Sequence, residues 1–113
     1  MEKVTAYKTI VQQLVEEIAA MTPSDESSET QVIMDDKRGH YLLFSVGWGN
    51  NRREYAPFVH IDVNSDGKVY IQHDGTDLKI ALLLVERNIP KSDIVLAFRA
   101  PHRRKLMGEF AFS

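Results

Sequence analysis

Val4, Tyr7, Val11, Leu14, Ile18 and Met21 recur at 3-4-3-4-3 spacing, and Ile10 and Val15 widen the stripe. That pattern predicts an amphipathic helix. A coiled-coil seam shares the spacing, but a broad stripe that stops early suits a single helix laid on a sheet. "TPSDESSET", residues 22–30, closes it: Pro23 blocks continuation, and the Ser/Asp/Glu cluster makes a solvated loop.

The period then changes to two. "TQVIM" reads as a strand running into the turn-like "DDKRGH", which holds Gly39. In "YLLFSVGW", Leu42, Phe44, Val46 and Trp48 share one face, and "GNNRR" makes a turn. "EYAPFVHIDV" places Val59, Ile61 and Val63 on one face and His60 and Asp62 on the other. Pro57 argues that this third strand is an edge, or begins only after the proline. After "NSDG", "KVYIQH" returns with Val69 and Ile71 inward.

"DGTDLKIALLLVERN" has helical spacing at Ile80, Leu83, Leu84 and Arg87, with Asp74 or Thr76 able to cap its start and Asn88 and Pro90 to stop it. "IVLAF" is a wholly apolar fifth strand, expected at the centre of the sheet. The predicted fold is α+β, a single domain over residues 1–113. Its order is helix, four antiparallel strands, helix, strand, in two layers with the helices on one face of the sheet.

Composition narrows the chemistry. There is no cysteine, so no disulfide, thiolate metal site or cysteine nucleophile. No apolar run approaches the roughly 20 residues that cross a bilayer, and "MEKVTAYK" lacks a signal-peptide layout. A soluble, cytoplasmic protein is expected. The net charge of −2 hides an asymmetry: residues 1–30 carry two Lys against six Asp/Glu, and the remainder twelve Lys/Arg against ten Asp/Glu. Arg52-Arg53 and Arg103-Arg104-Lys105 are local basic clusters, but a dedicated nucleic-acid binder usually has a stronger basic surplus.

The richest stretch is "HIDVNSDGKVYIQHDGTD", residues 60–77. Asp62, Asn64, Asp66 and Gly67 mimic the opening of an EF-hand loop, yet its twelfth position falls on His73, and the flanks have strand rather than helix periodicity. "NSDG" is therefore a hairpin turn. For a transition metal, His60 and Asp62 point the same way and Gln72 faces them, which is short of the three ligands of a catalytic zinc site. Asp62 with Asp66-Gly67-Lys68 echoes a nuclease pattern, but within a tight turn that spacing cannot hold two carboxylates around one magnesium. There is no Gly-x-Ser-x-Gly elbow and no P-loop, "GWGNN" is too short for a dinucleotide fingerprint, and His40 and His102 fall in loops without a partner nucleophile. Trp48 is core if it faces inward; exposed beside Arg52 and Arg53, it becomes an interface anchor.

"VGWGNNRREY", "HIDVNSDGKVYIQHDGTD" and "NIPKSDIVLAFRAPHRR" occur in fixed order and spacing. With them the chain closely resembles the fdxN element excision controlling factor family, the XisI-like proteins, from "YKTIVQQLV" to the closing "GEFAFS". The family pattern falls on Gly47, Trp48, Arg53, His60, Asp62, Gln72, Asp74, Gly75 and Thr76, and continues at Pro90, Lys91, Asp93, Ile94, Phe98, Pro101 and Arg104. Departures lie at Asp77-Leu78-Lys79-Ile80-Ala81, where the family tends to have an acidic pair and Gly-Ile-Ala, and at Met107-Gly108.

The resemblance implies an α+β fold. It also implies an accessory role, without enzymatic activity or cofactor, in excising a DNA element from a nitrogen-fixation gene during cyanobacterial heterocyst differentiation. The implied partner is a XisH-like, endonuclease-like protein encoded nearby. The expected interface is Trp48, Arg52, Arg53, His60, Asp62 and Gln72, flanked by Arg103 and Arg104. Two alternatives stand beside it: direct nucleic-acid binding through the arginine clusters, and a metal-dependent hydrolase built on His60, Asp62 and Asp74. The uncovered face of the sheet also leaves room for pairing with a second copy.

Overall fold

The apolar stripe of the first segment becomes helix α1, Glu2–Met21, which buries Tyr7, Val11, Leu14, Val15 and Ile18. The structure, a computed structural model, describes residues 2–22, 24, 26–100 and 110. Pro23, His102, Arg103, Arg104, Met107 and Gly108 lie outside the described residues. Met21 leaves the stripe and is exposed. At the C-terminal end the Thr22 hydroxyl donates to the Ile18 carbonyl at 2.8 Å, occupying an acceptor the helix leaves unpaired.

Four strands follow as an antiparallel meander: β1 Ser28–Asp35, β2 His40–Gly49, β3 Arg52–Val63 and β4 Val69–Asp74. Asn50 and Asn51, both with positive φ, form a two-residue turn between β2 and β3, so Arg52 and Arg53 belong to the strand and not to the turn. The "NSDG" turn closes with Gly67 at φ 82°, its N–H donating to the Asn64 carbonyl at 3.1 Å. That is the positive φ the sequence assigns to this glycine. Helix α2, Ile80–Glu86, and a 3-10 turn, Lys91–Asp93, lead to β5, Ile94–Leu96.

The α2 boundaries are set by small polar residues. Asp74 Oδ2 accepts from the Ile80 N–H at 3.0 Å, while Thr76 Oγ1 accepts from the Leu78 N–H at 3.1 Å. Asp74 thus supports the helix start from six residues away, and the helix is shorter than its periodicity suggests. At the other end the Ile89 and Asn88 N–H groups donate to the Leu84 and Val85 carbonyls, with Asn88 at φ 74°. This is a Schellman ending with asparagine in the left-handed position.

Strand order follows chain order, β1-β2-β3-β4-β5. Two expectations are corrected. Strand β5 is not central: it lies at the end of the sheet, parallel to β4, with three paired residues. Its burial comes from the layer packed over it, because Ile94 and Leu96 join the core shared by both helices. Strand β3 is not an edge: it runs between β2 and β4, and Pro57 is accommodated within it. Only Val59–Val63 pairs with β4, so the proline sits in the half of β3 with a neighbour on one side.

Both helices pack on one face, over Tyr41, Leu43, Val59, Ile61, Val63, Val69 and Ile71. The chain is thus an α+β two-layer fold around one core. No helix among the described residues is long and apolar enough to cross a membrane.

One polar link ties α1 to the far end of the sheet. The Tyr7 hydroxyl donates to Asp93 Oδ2 at 2.5 Å, and Lys3 Nζ lies 3.0 Å from the same oxygen. Burial alone pushes Asp93 up, but the Tyr7 and Lys3 hydrogen bonds and the Lys3 and Lys68 charges outweigh it and hold the carboxyl below its usual range. Burial, then the bond to Asp93, pushes the Tyr7 phenol up to about 12. A depressed carboxylate stabilises the fold above its unfolded pKa and loses that contribution as pH falls through the folded value. Asp93→Asn is therefore expected to cost about 1–2 kcal/mol at pH 7. Its stability should also fall less steeply than wild type below about pH 4, the unfolded carboxylate value. Urea melts at pH 7 and pH 3 check this; parallel losses in both proteins would refute it.

Candidate functional site

The face of the sheet turned away from the helices carries the site. Strand β2 alternates, and the residues it gives to the core are Tyr41 and Leu43. The four-residue set Leu42, Phe44, Val46 and Trp48 therefore lies on the uncovered face. Trp48 is not a core residue: it is 58% exposed. The Arg53 guanidinium lies 5.6 Å from the Trp48 ring and 5.7 Å from the Tyr55 ring, and Phe44 meets Tyr55 at 5.4 Å between centroids. These groups form an aromatic platform bridged by a cation, held at distances where each ring contact is attractive. Tyr55 is 65% exposed. Arg52, next in sequence to Arg53, alternates to the other side of the strand.

Further along the same face stands a polar cluster centred on Asp62, the only buried charged residue among those described. Asp62 Oδ1 lies 2.8 Å from His40 Nδ1 and 2.9 Å from His60 Nε2. Gln72 Nε2 donates to Asp62 Oδ2 at 3.1 Å. The sequence places His60, Asp62 and Gln72 together, and the structure does so too. It adds His40, which stands at the first position of β2, not in a loop, and pairs with Asp62 across the strands.

Two irregularities in the sheet make this grouping. Counting back from the Asn50-Asn51 turn would set His40 opposite Ile61. The register shifts between Leu43 and Phe44, where Phe58 is the extra residue, and His40 meets Asp62 instead. A second shift leaves Gln72 as the extra residue on β4, because His60 pairs with His73 and Ile61 with Ile71. Bulges of this kind re-aim side chains. The hairpin turn alone is a legible signal for the first register; the bulge that corrects it has no comparable mark, although Pro57, unable to donate to the ladder, lies beside it.

The remaining sequence candidates separate. Asp74 does not join His60 and Asp62: its oxygens accept from the Thr76 N–H, the Thr76 hydroxyl and the Ile80 N–H. A hydrolase built on His60, Asp62 and Asp74 has no geometric basis. Asp66 accepts from the Lys68 N–H and the Tyr70 hydroxyl, as a turn residue does. Chemically, the uncovered face offers an exposed cation–aromatic platform and, apart from it, two imidazoles sharing one carboxylate.

A protein-family model described as "XisI protein" matches residues 1–112. The crystal structure of a XisI-like protein from Anabaena variabilis is 34% identical, with 97% of this chain and 99% of that one covered and a TM-score of 0.90. The crystal structure of the fdxN element excision controlling factor XisI from the same organism is 28% identical, with 98% and 99% covered and a TM-score of 0.87. No curated protein matches significantly.

Proposed function

The chain belongs to the XisI family, and on that premise we propose that it is a non-enzymatic controlling factor for excision of a DNA element, acting in the cytoplasm through a protein partner. The partner is a XisH-like protein encoded nearby, and the setting is the cyanobacterial heterocyst. The similarity to a protein named as an fdxN element excision controlling factor supports this reading.

The observation that carries the binding mode is the platform of Trp48, Arg53 and Tyr55 on a sheet face that no helix among the described residues covers. Trp, Tyr and Arg dominate binding hot spots because they bring large contact areas with a polar handle. Left uncovered, such a surface is of the kind a partner buries.

Gel filtration with the XisH-like neighbour at micromolar concentration tests the reading. Co-elution is expected, and Trp48→Ala should weaken association by about 2 kcal/mol, roughly 30-fold, without a loss of thermal stability. Failure of the wild-type proteins to associate would defeat the proposal. Binding to duplex DNA that falls steeply with salt would favour the rival role for Arg52, Arg53, Arg103 and Arg104. The same face is also open to a second copy, which sedimentation of the chain alone would detect.

A further inference from the structure

We propose that His40, His60 and Asp62 form a binding site for a divalent first-row transition metal of the zinc class, a property separate from the partner-binding role above. Their ligating atoms all lie within 4.8 Å of one another. His40 Nδ1 and His60 Nε2 already converge on one oxygen, Asp62 Oδ1, from two different strands. The two rings meet edge to face, 6.4 Å between centroids. In a tetrahedral zinc site with bonds of about 2.0 Å, neighbouring donor atoms stand about 3.3 Å apart. To admit the ion the two nitrogen–oxygen distances must lengthen by a few tenths of an ångström, and the two ring nitrogens, which lie within 4.8 Å of each other, must settle toward the same spacing.

The donor set selects the class of ion. Two imidazoles and one carboxylate suit zinc, cobalt, nickel or ferrous iron, whereas calcium and magnesium demand oxygen ligands. The strand-by-strand reading stops at two ligands because it puts His40 in a loop; the bulge at Phe58 supplies the third.

Gln72 is the independent support. A carboxylate that ligates a metal is normally fixed through its other oxygen by an outer partner. Gln72 Nε2 donates to Asp62 Oδ2 and leaves Oδ1 turned to the histidines. Gln72 is itself the extra residue of a bulge, which places its amide there. Access is open: the His40 and His60 side chains are 46% and 30% exposed, while Asp62 beneath them is 12% exposed. Three protein donors leave at least one position for water or another ligand.

The test uses the full chain without an affinity tag, stripped of metal and titrated with Zn²⁺ by calorimetry and with Co²⁺ by visible absorption. One equivalent should bind, with a Co²⁺ spectrum of low-coordinate type. His60→Gln should weaken Zn²⁺ at least 100-fold, Gln72→Ala about 10–100-fold as an outer partner, and His73→Gln not at all. Equal affinity in wild type and in the His40→Gln/His60→Gln double variant would overturn the proposal, as would the absence of saturable binding. Should the variants fail to fold, NMR of the wild-type chain decides: the His40 and His60 ring signals must shift together and saturate at one equivalent. Saturation elsewhere with those signals unmoved also overturns it.

Discussion

Leu14→Ala is expected to destabilise the fold by about 3–5 kcal/mol, lowering the melting temperature by roughly 12–20 °C. Leu14 is 1% exposed, sits mid-helix in α1 and belongs to the core that joins the helix to the sheet. Few atoms nearby can move to refill the space, because Val11, Val15 and Ile18 on the same stripe are equally buried. Circular dichroism during thermal and urea unfolding measures the change. It also separates two uses of a 3-4 stripe. For a helix packed on its own sheet, the melting temperatures of wild type and variant are the same at all protein concentrations; in a coiled coil both would rise with concentration. A change below 1 kcal/mol would contradict the packing described.

Gly39→Ala is expected to cost about 3 kcal/mol, while Gly49→Ala changes stability by less than about 0.5 kcal/mol. Gly39 has φ 78°, where a side chain is strained, and an added Cβ would stand 2.2 Å from the Val63 carbonyl oxygen. Relief by separation is blocked, because the Val63 N–H donates to the Gly39 carbonyl at 2.8 Å. An added Cβ at Gly49 meets nothing within 4 Å. The Gly39 variant should also disturb His40, the next residue, and with it the approach of His40 to Asp62. Denaturant melts of the two alanine variants give the comparison; similar values for both would mean that the turn yields freely.

Much of this architecture was legible because it is written locally. The α1 stripe, the paired asparagines of the β2–β3 turn, "NSDG" and the Asn88 ending each act within a few residues, and each formed where its chemistry points. The failures are all cases in which a distant partner decides. Strand β2 is apolar on both faces, so periodicity alone cannot say that Tyr41 and Leu43 go under the helices while Leu42 and Trp48 stay outside. An apolar "IVLAF" suggests a strand flanked on both sides. Here the same apolarity serves an end strand buried under helices. His40, expected in a loop without a partner, is instead a strand residue paired with Asp62 for a third reason. Its partner depends on the running count of residues along β3, and one extra residue at Phe58 changes the answer from Ile61 to Asp62.

The position of α1 in the chain has a consequence for biosynthesis. Its apolar stripe is made before any strand that will cover it, and β3 and β4, which supply five of the sheet's buried core residues, end at Val63 and Asp74. At a synthesis rate of roughly 5–20 residues per second, the stripe waits several seconds for its cover. Until Tyr41 and Leu43 of β2 emerge, Val11, Leu14, Val15 and Ile18 have no buried strand residue to meet, and the rest of their cover comes with β3 and β4. A nascent chain stalled near residue 40 should therefore be bound by chaperones that a chain released after β5 no longer needs.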